Sequence, residues 1–229
     1  NCHFKKTKNY LVKDIFKNCY LSSDERKKTI FILGDSHTRS FWPTAQYIFE
    51  NTDYNIFSFV ASANPFPSIK HYIIGSKEYL NESNKIFNLL QDAITDQIKE
   101  GDIILINLRM PYHFGEDWYE LKVKDFRYFD DENNEIRLNS KYTHFENWIN
   151  KVKELSGKLL TKNANIIILQ PTPEFPLARF EKCNGQNNQW FNSLNKVNCS
   201  YPIEFFNSKE GKYTNIIRKL NELEDDKEN

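Results

Sequence analysis

The most informative run of residues in this 229-residue chain is Thr29-Ile30-Phe31-Ile32-Leu33-Gly34-Asp35-Ser36-His37. Five apolar or β-branched residues lead directly into the glycine, and an unbroken run of that kind is typical of a buried strand in a parallel sheet. Gly34 permits a sharp turn at the end of this strand. We therefore predict a central strand that delivers Asp35, Ser36 and His37 to one edge of a sheet.

Ser36 is a candidate nucleophile because of its position after that strand. A serine at the start of the following helix is held out of the core, next to amide groups that can stabilise an oxyanion. The plain alternative is that Gly-Asp-Ser is a common turn that ends a strand without chemistry. The added His37 favours a site, but the stretch alone leaves both interpretations open.

The rest of the chain alternates between apolar runs and helical patterns. We predict further strands at 54–61, 102–108 and 165–169, and helices at 37–50, 77–99, 142–161 and 213–223. This alternation indicates a three-layer α/β/α sandwich with a mainly parallel sheet and a flavodoxin-like strand order. Residues 109–140 are charged and aromatic, and we predict an irregular insertion there, with a solvated acidic turn at 130–134.

The four cysteines are Cys2, Cys19, Cys183 and Cys199. Four cysteines allow three pairings, and their grouping in the chain favours Cys2–Cys19 and Cys183–Cys199. Such disulfides would indicate an oxidising compartment, whereas four reduced thiols would indicate the cytosol. We predict that residues 1–28 form a lead-in held by the first disulfide to an α/β domain of residues 29–229.

Composition restricts the class of partner and the topology. The net charge is zero and no basic face stands out, so nucleic acid is not favoured as a partner. No apolar run approaches the roughly 20 residues that span a bilayer. The chain begins with Asn1 and shows no signal peptide, so we expect it to be a fragment of a longer polypeptide. No Cys-x-x-Cys is present, and we expect neither a metal nor a cofactor.

The run Ile32-Leu33-Gly34-Asp35-Ser36-His37, followed by Phe41-Trp42-Pro43, resembles the first block of SGNH (GDSL-like) hydrolases. It is similar in particular to the extracytoplasmic SGNH domains fused to acyltransferase-3 membrane proteins, which O-acetylate bacterial surface polysaccharides, lipopolysaccharide or peptidoglycan. Only this first block is specific, and the rest of the chain is similar in layout. The resemblance implies a location outside the cytoplasm, tethered to the inner membrane. It implies as partners an acyl donor, a glycan acceptor and an acyltransferase-3 domain of the same polypeptide.

The resemblance also implies roles for residues at the strand ends, which meet at one edge of a parallel sheet. Ser36 would be the nucleophile, supported within the first block by Gly34, Asp35 and His37. The candidate oxyanion donors are the backbone amides of Ser36, Ala63 and Asn64 and the side chains of Asn107 and Arg109. The family has a glycine in the second block where this chain has Ser-Ala-Asn. Asn107 could instead simply end a strand, and Arg109 could instead form a surface ion pair.

The general base is the missing part of this site. Similar SGNH proteins carry Asp-x-x-His near the C-terminus, but this chain has no histidine after His144. Either the chain ends before its last strand and that block, or the domain is degenerate, or another histidine substitutes. His113 is the candidate substitute. We expect the first explanation, with the fragment inactive for that reason.

The sequence therefore predicts an O-acyltransferase domain that modifies hydroxyls of a bacterial surface glycan through a serine acyl-enzyme. The alternatives are a secreted SGNH carbohydrate esterase, in which water is the acceptor, and a non-catalytic glycan-binding module. A nucleotide-binding protein is a further alternative, but the chain has no glycine-rich phosphate loop.

Overall fold

The computed structural model describes residues 2, 11–23, 28–62, 64–69, 71–73, 77–113, 126–129, 135–136, 142–170, 218 and 220–222. The helices are α1 (Val12–Asn18), α2 (Ser36–Ser40), α3 (Trp42–Asn51), α4 (Lys77–Gln97), α5 (Met110–His113) and α6 (Tyr142–Leu160). The strands are β1 (Tyr20–Leu21), β2 (Lys28–Gly34), β3 (Tyr54–Val60), β4 (His71–Ile73), β5 (Ile103–Asn107), β6 (Phe126–Phe129), β7 (Glu135–Ile136) and β8 (Asn165–Ile168).

The main sheet has five strands in the order β1-β3-β2-β5-β8. Strand β2 lies at its centre, parallel to β3 on one side and to β5 on the other, and β8 is parallel to β5. The four parallel strands thus follow the flavodoxin-like order. The predicted α/β fold with a mainly parallel sheet is confirmed.

Alternate side chains of β2 face the two helical layers, as the pleat of a strand requires. Phe31 and Leu33 belong to the larger core cluster, which α4 and α6 cover. Ile30 and Ile32 belong to a smaller cluster beneath α3. The buried hydrophobic side chains of the two long helices are the predicted stripes: Phe87, Leu90 and Ile94 of α4, with Ile98 just after its end, and Phe145, Trp148, Ile149, Val152, Leu155 and Leu159 of α6.

The lead-in contributes to the main sheet. The predicted disulfide between Cys2 and Cys19 is present, with an S–S distance of 2.03 Å. Both cysteine carbonyls accept hydrogen bonds from β3, that of Cys19 from Ser58 N–H and that of Cys2 from Val60 N–H. Strand β1 pairs antiparallel with β3, so the sheet is mixed at this edge. The proposed Cys183–Cys199 pair lies outside the described residues.

The helix predicted at 37–50 is two helices, α2 and α3, which meet at Phe41. In a continuous helix Pro43 would donate to the carbonyl of Arg39, but proline has no N–H and its ring crowds that carbonyl. The amide of Phe41 instead donates to Thr38 O at 3.1 Å, which closes a tighter turn. The helix that begins at Ser36 is therefore only five residues long.

The acidic turn predicted at 130–134 lies outside the described residues. For the residues of 109–140 that the structure does describe, the prediction of an irregular insertion is wrong. They form α5 and the strands β6 and β7, and these two strands form a second, antiparallel sheet with β4 in the order β4-β6-β7. These strands are two to four residues long, too short for an alternating pattern to show in the sequence. Residues 171–217 and most of the helix predicted at 213–223 lie outside the described part of the chain. Within that part, no helix has both the length and the apolar character needed to cross a membrane.

Candidate active site

Three strand ends meet beside Gly34, the last residue of β2. The register pairs Gly34 with Val60 of β3 and with Asn107 of β5. The amide of Ala61 donates to Gly34 O at 3.1 Å, so the chain leaving β3 stays next to the turn that leaves β2. The three loops expected to converge therefore begin side by side.

Gly34 is required by the closeness of β5 and α2. Its φ is +153°, which other residues rarely adopt. A Cβ atom there would lie 2.0 Å from the carbonyl oxygen of Asn107 and 2.5 Å from Thr38 Oγ1. The absence of a side chain lets the turn after β2 press against the end of β5.

Ser36, the candidate nucleophile, is the exposed first residue of α2. The preceding Asp35 is extended, with φ −86° and ψ −162°, and its side chain caps the helix by accepting from the amide of His37. The Asp35 carbonyl also accepts from Thr38 N–H at 3.0 Å. These bonds fix the backbone on both sides of Ser36 and leave its side chain facing solvent.

The carboxylate of Asp35 is buried and lies at the centre of this edge of the sheet. Its Oδ1 accepts from His37 N–H at 2.8 Å, while its Oδ2 accepts from Arg109 N–H at 2.8 Å and from His113 Nε2 at 2.6 Å. Burial alone raises the pKa of Asp35, but the hydrogen bond and charge of His113 and the two backbone amides outweigh it. The net effect lowers the pKa, so Asp35 is an anion at neutral pH.

His113, the candidate substitute base, lies at the end of α5 and is fully buried. Its Nε2 is directed at Asp35 Oδ2, and this pair is the closest hydrogen bond of the site. Its amide donates to Arg109 O at 3.3 Å, which holds α5 against the end of β5. In this arrangement Nε2 serves Asp35, while Ser36 lies at the surface.

Asn107 and Arg109 contact the first block in different ways. Asn107 Nδ2 lies 3.4 Å from His37 O, so its side-chain amide group reaches the turn that carries Ser36. The carbonyl of Asn107 accepts from Thr38 Oγ1 at 2.7 Å. Arg109 holds Asp35 through its backbone amide, and its side chain is half-buried. The side chain of Asn107 thus contacts the residue that follows Ser36.

The second block anchors a buried loop. Ala63 lies outside the described residues. The Asn64 amide donates to Ala61 O at 3.3 Å, and its fully buried side chain donates to Ser83 Oγ of α4 at 3.2 Å. Further along the loop, Phe66 O accepts from Trp148 Nε1 at 3.1 Å. Asn64 therefore ties the loop to α4, and its amide hydrogen is already directed at a carbonyl.

The sequence did not predict the hydrogen bond between Asp35 and His113. The two residues are 78 positions apart, and no spacing rule relates the first block to a histidine in a four-residue helix. It also missed Thr38, whose hydroxyl bonds to the end of β5. The one available signal was that His113 follows the strand next to β2.

A pocket of about 950 Å³ lies at the opposite edge of the sheet, where β2 and β3 begin. Its buried polar groups bond to one another: Thr29 N–H donates to Asp102 Oδ1 at 2.7 Å, and Tyr20 Oη lies 2.5 Å from Thr29 Oγ1. This pocket is remote from the turn of Ser36. Among the described residues, no group of three or more His, Cys, Asp or Glu side chains could hold a metal ion.

Comparison with known proteins agrees with the motif in the first block. A family model described as an SGNH domain, fused to AT3 domains, matches residues 1–228. Among solved structures, the periplasmic domain of a lipopolysaccharide acetyltransferase from Salmonella ser. Paratyphi A is similar, with 16% sequence identity and a TM-score of 0.44. The match covers 73% of this chain and 51% of that one, so the chain spans about half the length of that domain. A search of curated proteins found no match.

Proposed function

Because this chain belongs to the family of SGNH domains that are fused to AT3 domains, we propose that it transfers acetyl groups to hydroxyls of a bacterial cell-surface glycan. The observation that carries the proposal is the placement of Ser36. It is exposed shortly after the central strand, it follows the buried Asp35, and the side-chain amide of Asn107 contacts the carbonyl of the next residue, His37. A structural turn alone would not need those neighbours.

The proposed reaction has two steps. Ser36 Oγ attacks the carbonyl carbon of the acyl donor, the bond to the leaving group breaks, and Ser36 becomes an ester. A glycan hydroxyl then attacks that ester, takes the acyl group and restores the serine hydroxyl. The exposure of Ser36 suits this sequence, because a donor and a large acceptor must reach the same atom in turn.

The oxyanion formed in each step needs donors that are already in place. In the proposal these are the backbone N–H of Ser36 and the side-chain Nδ2 of Asn107, which the contact with His37 O places beside the turn. Gly34 supports this placement because β5 could not approach a larger residue. Loss of one such donor typically lowers kcat by about 100-fold to 1,000-fold.

The proton of Ser36 needs a base, and His113 is not proposed for that role because its Nε2 serves Asp35. The proposal takes the base from an Asp-x-x-His block of the kind that the family resemblance implies. The 229 residues contain no such motif. In that block histidine would accept the serine proton and return it to the leaving group, while aspartate would orient the imidazole.

The proposed partners are an acyl donor, a glycan acceptor and the membrane AT3 domain of the same polypeptide, at the extracytoplasmic face of the inner membrane. The Cys2–Cys19 disulfide supports a location in an oxidising compartment. If water replaced the glycan in the second step, the same site would act as an esterase, so the acceptor distinguishes the two functions.

The test compares glycan O-acetylation between the wild type and variants of the full-length polypeptide in the bacterium that carries it. Mass spectrometry of the surface polysaccharides measures the acetylation. We expect Ser36→Ala to abolish the modification. Ser40→Ala is the matched control, because Ser40 is an exposed serine of the same short helix that bonds only locally, to His37 O. Unchanged acetylation in Ser36→Ala would refute the proposal, and acetate release without glycan acetylation would favour the esterase.

A second measurement tests the origin of the base. A fluorophosphonate probe should label Ser36 in the full-length polypeptide and leave the 229-residue chain unlabelled, because the serine needs an activating base. Strong labelling of the 229-residue chain would show that a base lies within it.

A further inference from the structure

We infer that His113 is a positioning residue for the reaction of Ser36: its hydrogen bond to Asp35 holds the turn that carries the nucleophile against the segment that follows Asn107, the last residue of β5. The inference rests on the proposed function, because positioning matters only if Ser36 reacts. It assigns His113 a role other than general base.

Asp35 joins two segments that the chain brings together from far apart. Its Oδ1 accepts from the Ser36 turn, through His37 N–H, and its Oδ2 accepts from the loop after β5, through Arg109 N–H and His113 Nε2. A buried carboxylate needs several donors to remain charged. The imidazole supplies the third donor, and a charge-assisted bond of 2.6 Å holds its partners more tightly than a neutral one.

The position of His113 is itself fixed. Its amide bonds to Arg109 O, and Leu108 and Met110 on either side of Arg109 are buried in the larger core cluster. The imidazole is fully buried, so it cannot turn away from Asp35 into solvent. The core therefore fixes the loop after β5. His113, which belongs to that fixed segment, restrains the position of Asp35 through its hydrogen bond.

The hydrogen bond between His113 and Asp35 also restrains the distance between the two proposed oxyanion donors. One is the amide of Ser36, which directly follows Asp35. The other is Asn107 Nδ2, whose contact with His37 O is long, at 3.4 Å, and could not alone hold the two segments in register. Thr38 Oγ1 adds one bond, to Asn107 O. Without His113, the donors left to Asp35 among the described residues would all be backbone amides. A shift of about 1 Å in such a site can cost about 100-fold in rate.

The experiment uses the full-length polypeptide and measures the rate constant for fluorophosphonate labelling of Ser36. We expect His113→Leu to lower it about 10-fold to 100-fold. His113→Gln should restore most of the rate, because the glutamine amide places a donor near the position of Nε2. With a soluble acyl donor, kcat should fall in His113→Leu while KM changes little, because the buried His113 side chain acts through Asp35 and does not contact the substrate.

Ile98→Ala is the control for lost stability, since Ile98 is buried at the opposite end of the domain. An equal loss of labelling in Ile98→Ala would overturn the inference, as would a wild-type rate in folded His113→Leu. Should His113→Leu not fold, Asp35→Asn keeps the side-chain shape and must also label slowly; a wild-type rate there overturns the inference. If wild-type Ser36 is labelled and the His113 variants are labelled at the same rate, this inference is wrong but the proposed function stands. An unreactive wild-type Ser36 defeats the proposed function, and this role with it.

Discussion

Two buried aspartates lie at opposite edges of the main sheet, that is, at opposite ends of its parallel strands, and their surroundings differ. Asp35 directly follows β2, and Asp102 directly precedes β5. Each accepts two backbone N–H groups, those of His37 and Arg109 for Asp35, and those of Thr29 and Lys99 for Asp102. Both carboxylates therefore join neighbouring segments of chain at a sheet edge.

The difference between the two edges lies in what surrounds each carboxylate. Asp35 has a histidine as its third donor, an exposed serine next to it in the chain, and a glycine that lets β5 approach. Asp102 lines a pocket whose buried polar groups bond to one another. A buried acid at a strand end is therefore not by itself a site. The groups that converge on Asp35 are what make that edge the candidate site.

The largest expected effect comes from the glycines of the two edges. Gly34→Ala places Cβ against the carbonyl of Asn107 and should lower the free energy of unfolding by about 3–5 kcal/mol. Gly101 has φ +80°, but the atoms nearest to its Cβ would belong to the flexible Lys28 side chain, so Gly101→Ala should cost about 1–2 kcal/mol. Urea unfolding measures both changes. Gly157→Ala in α6 is the control, with open space around the site, and should stabilise by up to about 1 kcal/mol. Equal losses for Gly34 and Gly101 would refute the close approach at the Ser36 edge.

The Cys2–Cys19 disulfide should come next in size. Replacing both cysteines by alanine opens a loop of about 17 residues, for which loop entropy predicts a loss of about 3 kcal/mol. Cys2 O and Cys19 O bond to β3, so hydrogen exchange should rise first at Val60 and Ser58. A double variant as stable as the wild type would mean that the lead-in contributes nothing to the sheet.

The two aspartates give the direct comparison. Asp35→Asn turns one acceptor oxygen into a donor facing other donors and should cost about 2–3 kcal/mol, against about 1–2 kcal/mol for Asp102→Asn, which loses no histidine partner. Thermal or urea unfolding reports the stabilities. Fluorophosphonate labelling of the full-length polypeptide should fall in Asp35→Asn and stay unchanged in Asp102→Asn. Equal labelling in the two variants would remove the functional distinction between the edges.

The smallest effect is the dependence on pH. The pKa of Asp35 is lowered in the folded protein, so its contribution to stability is complete at neutral pH and is lost as the pH falls through the folded-state pKa. The difference in unfolding free energy between wild type and Asp35→Asn should be constant from about pH 7 to pH 5. It should shrink once the pH falls below about 4, near the unfolded-state pKa. A difference that already shrinks between pH 7 and pH 6 would mean that the pKa is raised.

The strands and long helices were predictable because their signals are local. The apolar run of β2 and the stripes of α4 and α6 appear at the expected positions, and the disulfide of the lead-in follows from the grouping of the cysteines. The short strands of the second sheet were missed because strands this short are specified by pairing with distant partners. The break at Phe41 could have been found from Pro43, two residues further on.

Within the candidate site the division is similar. The sequence alone predicted the strand, the family and Ser36 as the candidate nucleophile, because the residues of the first block are adjacent in the chain. The folded structure was needed to show that His113 bonds to Asp35, that Asn107 reaches the Ser36 turn and that Asn64 ties its loop to α4. Those contacts join residues 19 to 78 positions apart, and their geometry depends on how the core sets the register of β2, β3 and β5. Local residue patterns carry no information about contacts between residues so far apart in the sequence.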